Sequence, residues 1–543
     1  MMNTIPVQLK HQSQLIQDYR DRQESIFTQF DYDPFQVRSY QNRLKQIQQM
    51  NYKREELADI LIEQNKKWGL SPEVKKNIVQ LKDPESSVVI GGQQAGLLTG
   101  PLYTIHKIIS IIIHAREQAD HLQKPVVPVF WIAGEDHDFD EINHVFVQKN
   151  TAQLKKVAIQ DDLESKQSVS SRQLPKEEAR TFIEQVFRSF QETEHTQELI
   201  QQVKDAIEES ETYVDFFGIL IHSMFKEEGL VLVDSDDPSL RRLETEYFVR
   251  LIENQPAISE AVVEELEAQA DKGYMISLDA NMDDGHLFYH VNDERQLLMK
   301  KDRETWMTKD GETLITTDEL IQLVKQSPEL FSNNVVTRPM MQEMVFPVLA
   351  FHAGPGELAY WSVLKKAFRC LDMTLPIVMP RMSITLLQAN HQSWLNQLGL
   401  SEEEVIQAGS FSHKMRWLKR KPKYPIEETI EEVRKQMNVI HQPIQEIATS
   451  ITPDMERLSK KNAEKIDQEL VFIEKRLLKA VEDHHQLTVQ KYDELDLFYY
   501  PNGGLQERIW NIVYWMNHYG LDLPARLASL PPKWEHDHVL VEL

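Results

Sequence analysis

SVVI (Ser87–Ile90), GGQQAGLLTGP (Gly91–Pro101) and Leu102–Glu117 follow one another as an apolar run, a loop crowded with glycine and glutamine, and a helical pattern. The same order recurs along the chain. Val126–Ile132 leads into AGEDHDFDE (Ala133–Glu141), and Leu230–Val233 into DSDDPSLRRL (Asp234–Leu243). Val348–Phe351 leads into HAGPGE (His352–Glu357) and the helical Leu358–Phe368, and Pro376–Met379 into PRMSITLL (Pro380–Leu387). Short Val/Ile-rich runs alternating with helices read as strands covered on both faces. Five such units predict the α/β class: a Rossmann-like, doubly wound parallel sheet core with connecting insertions. Such sheets bind ligands beyond the carboxyl ends of their strands, where these five loops lie.

Outward from these units, the core is expected to span residues 1–390. Residues 1–80 are polar with weak helical spacing. An insertion at about 151–225 is charged and helical. A second, at 274–316, holds HLFYHV, RQLLMKK and ETWMTKDGETLI, which read as short antiparallel strands with a KDG turn. Residues 391–495 are expected to be an α-helical antiparallel coiled-coil domain. Ile430, Val433, Met437, Ile440, Ile444, Ile447 and Ile451 alternate spacings of three and four; Ile466, Leu470, Ile473, Leu477, Ala480, His484 and Leu487 do the same. Thr452-Pro453 breaks the two series, and Pro443 should kink or interrupt the first helix. The heptads suit either a homodimer or an intramolecular hairpin. Residues 496–543 are aromatic-rich, open near the PNGG turn, and should return to the core.

The 543 residues are 41% hydrophobic and 27% charged, a globular composition. Lys+Arg number 60 against 85 Asp+Glu, a net charge of -25, which argues against broad nucleic-acid binding but allows a small basic pocket. A lone cysteine, Cys370, excludes an intrachain disulfide and a four-cysteine zinc site. The opening MMNTIPVQLKHQSQ has no apolar h-region, and the apolar runs are too short to span a bilayer. A cytoplasmic protein with no membrane partner is the expectation.

Four loops carry candidate chemistry. Gly91–Lys107 combines glycines at a helix start with Gln93, Gln94, Gly96, Thr99, Tyr103 and Lys107, a set suited to an anionic ligand, although it is neither GxGxxG nor a P-loop. Packing glycines in a tight connection are the plainer alternative. Glu135, Asp136 and His137 could bind an amine, do acid–base work or hold a cation, with a solvated helix cap as the alternative. Glu357 and Tyr360 follow the Gly-Pro-Gly turn. Arg381 suits a carboxylate or phosphate clamp.

GGQQAGLLTGPLYTIHK, VFWIAGEDHDFDEI, HAGPGELAYW and MPRMS, in this order, closely resemble the BshC family of bacillithiol biosynthesis, the cysteine-adding ligases. The resemblance extends over essentially the whole chain. It implies a ligase that joins L-cysteine to the glucosamine amine of glucosaminyl-malate, with ATP-type activation, Mg²⁺ as a possible companion, and a core like that of class I aminoacyl-tRNA synthetases. It also implies a homodimer through the coiled coil and a second, nucleotide-binding pocket. Asp496, Tyr500, Asn502, Gly503 and Gly504 are the candidates for that pocket. There is no HIGH tetrapeptide, GPLYTIHK standing in the comparable place, and PRMSI only faintly echoes KMSKS. His137 and His144 with nearby carboxylates are the candidates for zinc. On this reading Glu135, Asp136 and His137 handle the amine and its proton. Gln93, Gln94, Gly96, Thr99, Tyr103, Lys107 and Arg381 hold anionic parts, and Glu357 and Tyr360 complete the wall. A non-enzymatic dimeric binding protein for a thiol metabolite or nucleotide, and a metal-dependent hydrolase built on EDHD, are the rival readings.

Overall fold

The computed structural model describes residues 2–10, 12–160, 167–291, 294–423 and 425–543. It divides into two compact units, residues 1–148, 155–387 and 506–543, and residues 149–154 and 388–505. The first unit is built on a parallel sheet of β1 (Ser87–Gln93), β2 (Val126–Ile132), β3 (Val231–Asp234), β4 (Val348–Ala353) and β5 (Ile377–Pro380). Their spatial order is β5-β4-β1-β2-β3. All five expected units supply a strand, and all neighbours pair in parallel. This order reverses direction between β1 and β4, which makes that gap the topological switch point of a doubly wound sheet. The strands are almost wholly buried because helices cover both faces. Helix α1 (Leu102–Leu122) follows β1, and helix α2 (Pro238–Asp271) follows β3 with Asp237 capping its first turn.

Gly91 and Gly92 lie inside β1 rather than in a loop. A Cβ on Gly92 would sit 2.6 Å from the Trp131 carbonyl oxygen, and one on Gly91 3.3 Å from Lys107 Cδ. These two glycines serve close strand packing and the passage of the Lys107 stem. The excursion at 274–316 is the expected antiparallel sheet, joined by one further strand, Phe331–Asn333. A strand the sequence pattern did not announce, Thr4–Val7, pairs with His538–Glu542, which in turn runs parallel to Ile384–Leu387. The tail from Gln506 thus belongs to the first unit.

The second unit contains α3 (Ile426–Ile451) and α4 (Pro453–His484), packed as an antiparallel hairpin. Of the two outcomes expected of Pro443, interruption does not occur: α3 runs through it. The ring removes the N–H that would bond to Val439, and Val439 is 68% exposed, so water can take over its carbonyl. The expected seam holds at Ile430, Val433 and Met437, and at Ile466 and Leu470 of the second helix, which are half-buried, and is displaced beyond Met437 in the first. His441 and Ala448 are the buried residues of α3, with His441 Nε2 2.9 Å from Asn462 Oδ1 and Arg434 bonded to Asp467. Ile440, Ile444, Ile447 and Ile451 stay 65%, 54%, 61% and 63% exposed. The hairpin therefore consumes only part of the heptad stripe.

Candidate active site

The carboxyl ends of β1 and β4 meet around Lys107. Its stem is buried in α1, and its ammonium donates to Gly92 O at 2.7 Å, Gln93 Oε1 at 3.2 Å and Glu357 Oε2 at 2.5 Å. Burial pulls the Lys107 ammonium down, against the raising effect of Glu357. Glu357 Oε2 also accepts the Gly354 N–H at 2.7 Å, closing the turn after β4. Arg338 enters the same corner from helix Thr337–Val345, donating to Tyr360 Oη at 2.8 Å. Among the described residues no carboxylate lies within ion-pair distance of Arg338. Burial pushes the Tyr360 phenol up to about 12, so it is neutral and keeps a proton to donate.

Arg381 is spent internally. Its Nη1 and Nη2 donate to Glu507 Oε2 and Oε1 at 2.8 and 2.7 Å, and His106 Nδ1 lies 2.9 Å from the same carboxylate. Burial opposes ionisation of Glu507, yet Arg381 and His106 hold its carboxyl well below the usual range. Burial lowers His106, so the neutral Nδ1–H tautomer is the donor. Tyr103 lies beneath this pair, its ring centroid 6.0 Å from the Arg381 guanidinium carbon. Glu507 was not singled out in the sequence because it sits in a short turn with no periodic context.

The loop from Gly96 to Pro101 is strained. Leu98 and Thr99 have φ of 50° and 77°, a region costly for side-chain-bearing residues. A Cβ on Gly96 would lie 2.7 Å from Gly100 Cα, so the chain doubles back tightly there. Asn511 Nδ2 holds the loop by donating to Leu98 O and Gly100 O at 2.8 and 2.7 Å. Thr99 is wholly buried, and its hydroxyl points away from solvent.

After β2, Gln94 Nε2 donates to Asp136 Oδ2 at 2.7 Å, and the His137 N–H to Asp136 Oδ1 at 2.9 Å. Burial raises the Asp136 carboxyl, but Gln94, Arg295 and the His137 N–H outweigh it and leave it low. Arg295 approaches His137 Nδ1 at 3.4 Å and Asp136 at 3.6 Å. Glu135 is buried and ion-paired to Arg241, which also meets Glu244 at 2.9 Å. Arg241, Arg295 and Arg338 are cations the motif reading missed. They come from elements far along the chain, and only the fold brings them here.

The candidates for the nucleotide pocket lie in the second unit. Asp496 accepts the Ser410 N–H at the start of helix Phe411–Lys419, and burial raises its carboxyl. Tyr500 packs against Gly409, where a Cβ would come within 2.9 Å of its ring. Asn502 and Gly503 have φ of 52° and 80°, and the Gly503 and Gly504 N–H groups are donated to Tyr500 O and Pro501 O. Tyr500, Gly503 and Gly504 thus lie in a tight turn in which their N–H groups are already engaged. His144 Nδ1 lies 3.1 Å from Asn143 Oδ1, and among the described residues no three His, Cys, Asp or Glu side chains converge to hold a metal.

Two family models cover the chain. The model for the N-terminal Rossmann-like domain of the bacillithiol biosynthesis protein BshC matches residues 2–382, and the model for its C-terminal coiled-coil domain matches residues 384–543. The chain belongs to the BshC family. A relative from Oceanobacillus iheyensis named "Putative cysteine ligase BshC" is 38% identical over 545 residues, covering 100% of both chains. Relatives of the same name from Bacillus cytotoxicus and Bacillus velezensis are 38% and 37% identical, covering 97% and 100% of this chain and 98% and 100% of theirs. The first match covers the parallel sheet, and the second covers the helical hairpin together with the tail from Gln506 that belongs to the first unit. Among the described residues no helix is long and apolar enough to cross a membrane.

Proposed function

We propose that this chain joins L-cysteine to glucosaminyl-malate by an amide bond to the glucosamine amine, giving bacillithiol. The family and the names of its members support the reaction class. One structural observation supports the acceptor. Lys107, Arg241 and Arg381 are each matched by a carboxylate, whereas among the described residues Arg338 is matched only by a phenol. A guanidinium with an unspent fork, mostly removed from water, calls for a planar carboxylate. Malate carries two. Arg338 and Tyr360 would hold one of them, with Lys107, Glu357 and Gln93 fixing the floor below.

A free carboxylic acid does not acylate an amine, so the cysteine carboxyl must first be activated. Nucleoside triphosphate with Mg²⁺ is the co-substrate in this proposal, giving an adenylate or acyl phosphate. The amine nitrogen then bonds to the carbonyl carbon, and the carbon–oxygen bond to the phosphate leaving group breaks with its electron pair. Arg381 and Glu507 brace the wall beside Tyr103 rather than gripping substrate. The protein acts as a homodimer, supported by the uncovered Ile440–Ile451 stripe. Titration calorimetry with Arg338→Gln tests the acceptor site. Affinity for glucosaminyl-malate should fall by about 10- to 100-fold, the cost of one lost charge-assisted pair, while a glucosamine glycoside lacking carboxylates should bind as before. Equal losses for both ligands would remove Arg338 from carboxylate recognition.

A further inference from the structure

The ligation just proposed needs an acceptor for the amine's proton, and the acidic run after β2 is poorly placed to provide one. Glu135 is tied to Arg241, and Asp136 to Gln94, the His137 N–H and Arg295. A cavity of about 690 Å³ opens beyond the carboxyl end of β3. Among the described residues four aspartates line it, and three are engaged. Asp236 faces Arg241 at 3.5 Å. Asp237 caps α2 and meets Lys67 at 3.6 Å. Asp215 accepts from Trp68 Nε1 at 2.9 Å and closes a capping box with Thr212.

Asp234 differs. Among the described residues it has no cation within ion-pair distance. Its Oδ1 accepts Ser170 Oγ at 2.7 Å and the Asp236 N–H at 3.0 Å, leaving Oδ2 for the cavity. The site is shaped around it. A Cβ on Gly134 would lie 1.9 Å from Ser170 Oγ and 2.2 Å from Asp234 Oδ1, so any side chain there would displace this pair. β3 lies two strand spacings, about 10 Å, from β1. Arg338 feels the charge of Glu135, which pairs with Arg241, and Arg241 reaches Asp236 beside Asp234, so a continuous run of polar groups joins the two corners that the substrate would span.

We propose that Asp234 is the catalytic base that takes the proton from the glucosamine ammonium as its nitrogen bonds to the activated cysteine carbonyl carbon. The inference rests on the ligase reading. The amine enters as the ammonium and gives one proton to Asp234 Oδ2. Its lone pair forms the C–N bond, the phosphate-type leaving group departs with the C–O pair, the second proton that the nitrogen must lose passes to water, and Asp234 later returns the first to water. Burial and the neighbouring Asp236 push the Asp234 carboxyl up to about 7, where it exchanges protons at neutral pH. Among the described residues the other charged or titratable groups facing this cavity are Lys67, Glu211, Asp215, Asp236, Asp237, His290 and Glu329. Burial holds His290 at about 4, which makes it a weaker base at neutral pH.

The test is bacillithiol formation from pre-saturating substrates across neutral pH, for wild type, Asp234→Asn and Ser170→Ala. Wild type should show an acidic limb with a midpoint near Asp234's value. Asp234→Asn should lose about 100-fold or more in kcat and lose the limb, with its affinity for glucosaminyl-malate within a few-fold of wild type. Ser170→Ala removes a hydrogen bond that favours the ionised carboxyl, so its limb should move to higher pH. It serves equally if Asp234→Asn fails to fold. Turnover by Asp234→Asn within a few-fold of wild type, or an unmoved limb in Ser170→Ala, overturns the assignment. Absence of product from wild type under every condition overturns the ligase reading itself, and the base with it.

Discussion

Replacing Glu507 by glutamine keeps the shape of the side chain and removes its charge. Three buried contacts depend on that charge: the two Arg381 bonds at 2.8 and 2.7 Å and the His106 bond at 2.9 Å. Arg381 would be left 7% exposed with no carboxylate partner. Breaking a buried pair from one side costs about 3–5 kcal/mol. At about 2.1 cal/mol/K per residue, a cooperative unit of roughly 420 residues unfolds with about 0.9 kcal/mol/K, so the melting temperature should fall by about 3–6 °C. The double variant Arg381→Met, Glu507→Leu should recover most of that loss, because no uncompensated charge remains. The pH dependence has a definite sign. Glu507 is held low in the fold, so its stabilisation is complete above about pH 4.3, its unfolded value, and is lost as pH falls through the folded value. Scanning calorimetry of the three proteins at neutral and acidic pH reads all of this. A Glu507→Gln melting point within 1 °C of wild type, or a double variant no better than the single, would refute the bracing role of the pair.

Two further outcomes follow from the same physics. Ile444→Glu with Ile447→Glu places charges on the exposed stripe of α3 and should convert a dimer to a monomer by light scattering, with turnover per chain as the companion readout. An unchanged mass would place the dimer contact elsewhere. His114, His222, His286 and His538 are buried and depressed by burial to about 3, 4, 4 and 4. Each contributes stability that is complete above the unfolded value of about 6.5 and is lost as pH falls toward the folded one. Thermal scans should therefore show a steep decline just below neutrality, shallower in His538→Gln; a flat profile there would contradict neutral burial of these rings.

The strands and the loops at their ends were legible because buried parallel strands leave continuous apolar runs and because their loops carry local motifs. Lys107 and Glu357 were readable as members of two separate loops, but not as partners 250 residues apart. Arg338, Arg295 and Asp234 escaped because each lies in an ordinary helix, strand or strand end, and acquires its meaning from neighbours distant in sequence. Arg381 read as a clamp because its partner Glu507 lies 126 residues on. The heptads announced a coiled coil correctly. They could not say that the seam changes face beyond Met437, where polar His441 is buried while Ile440, Ile444, Ile447 and Ile451 face outward.

The central claim is the ligation. Purified protein with L-cysteine and glucosaminyl-malate, with and without ATP and Mg²⁺, followed by mass spectrometry, addresses it directly. The account predicts bacillithiol only when nucleotide is present, with AMP or ADP released in equal amount. Failure to form the thiol product with all components present and the protein folded would contradict it.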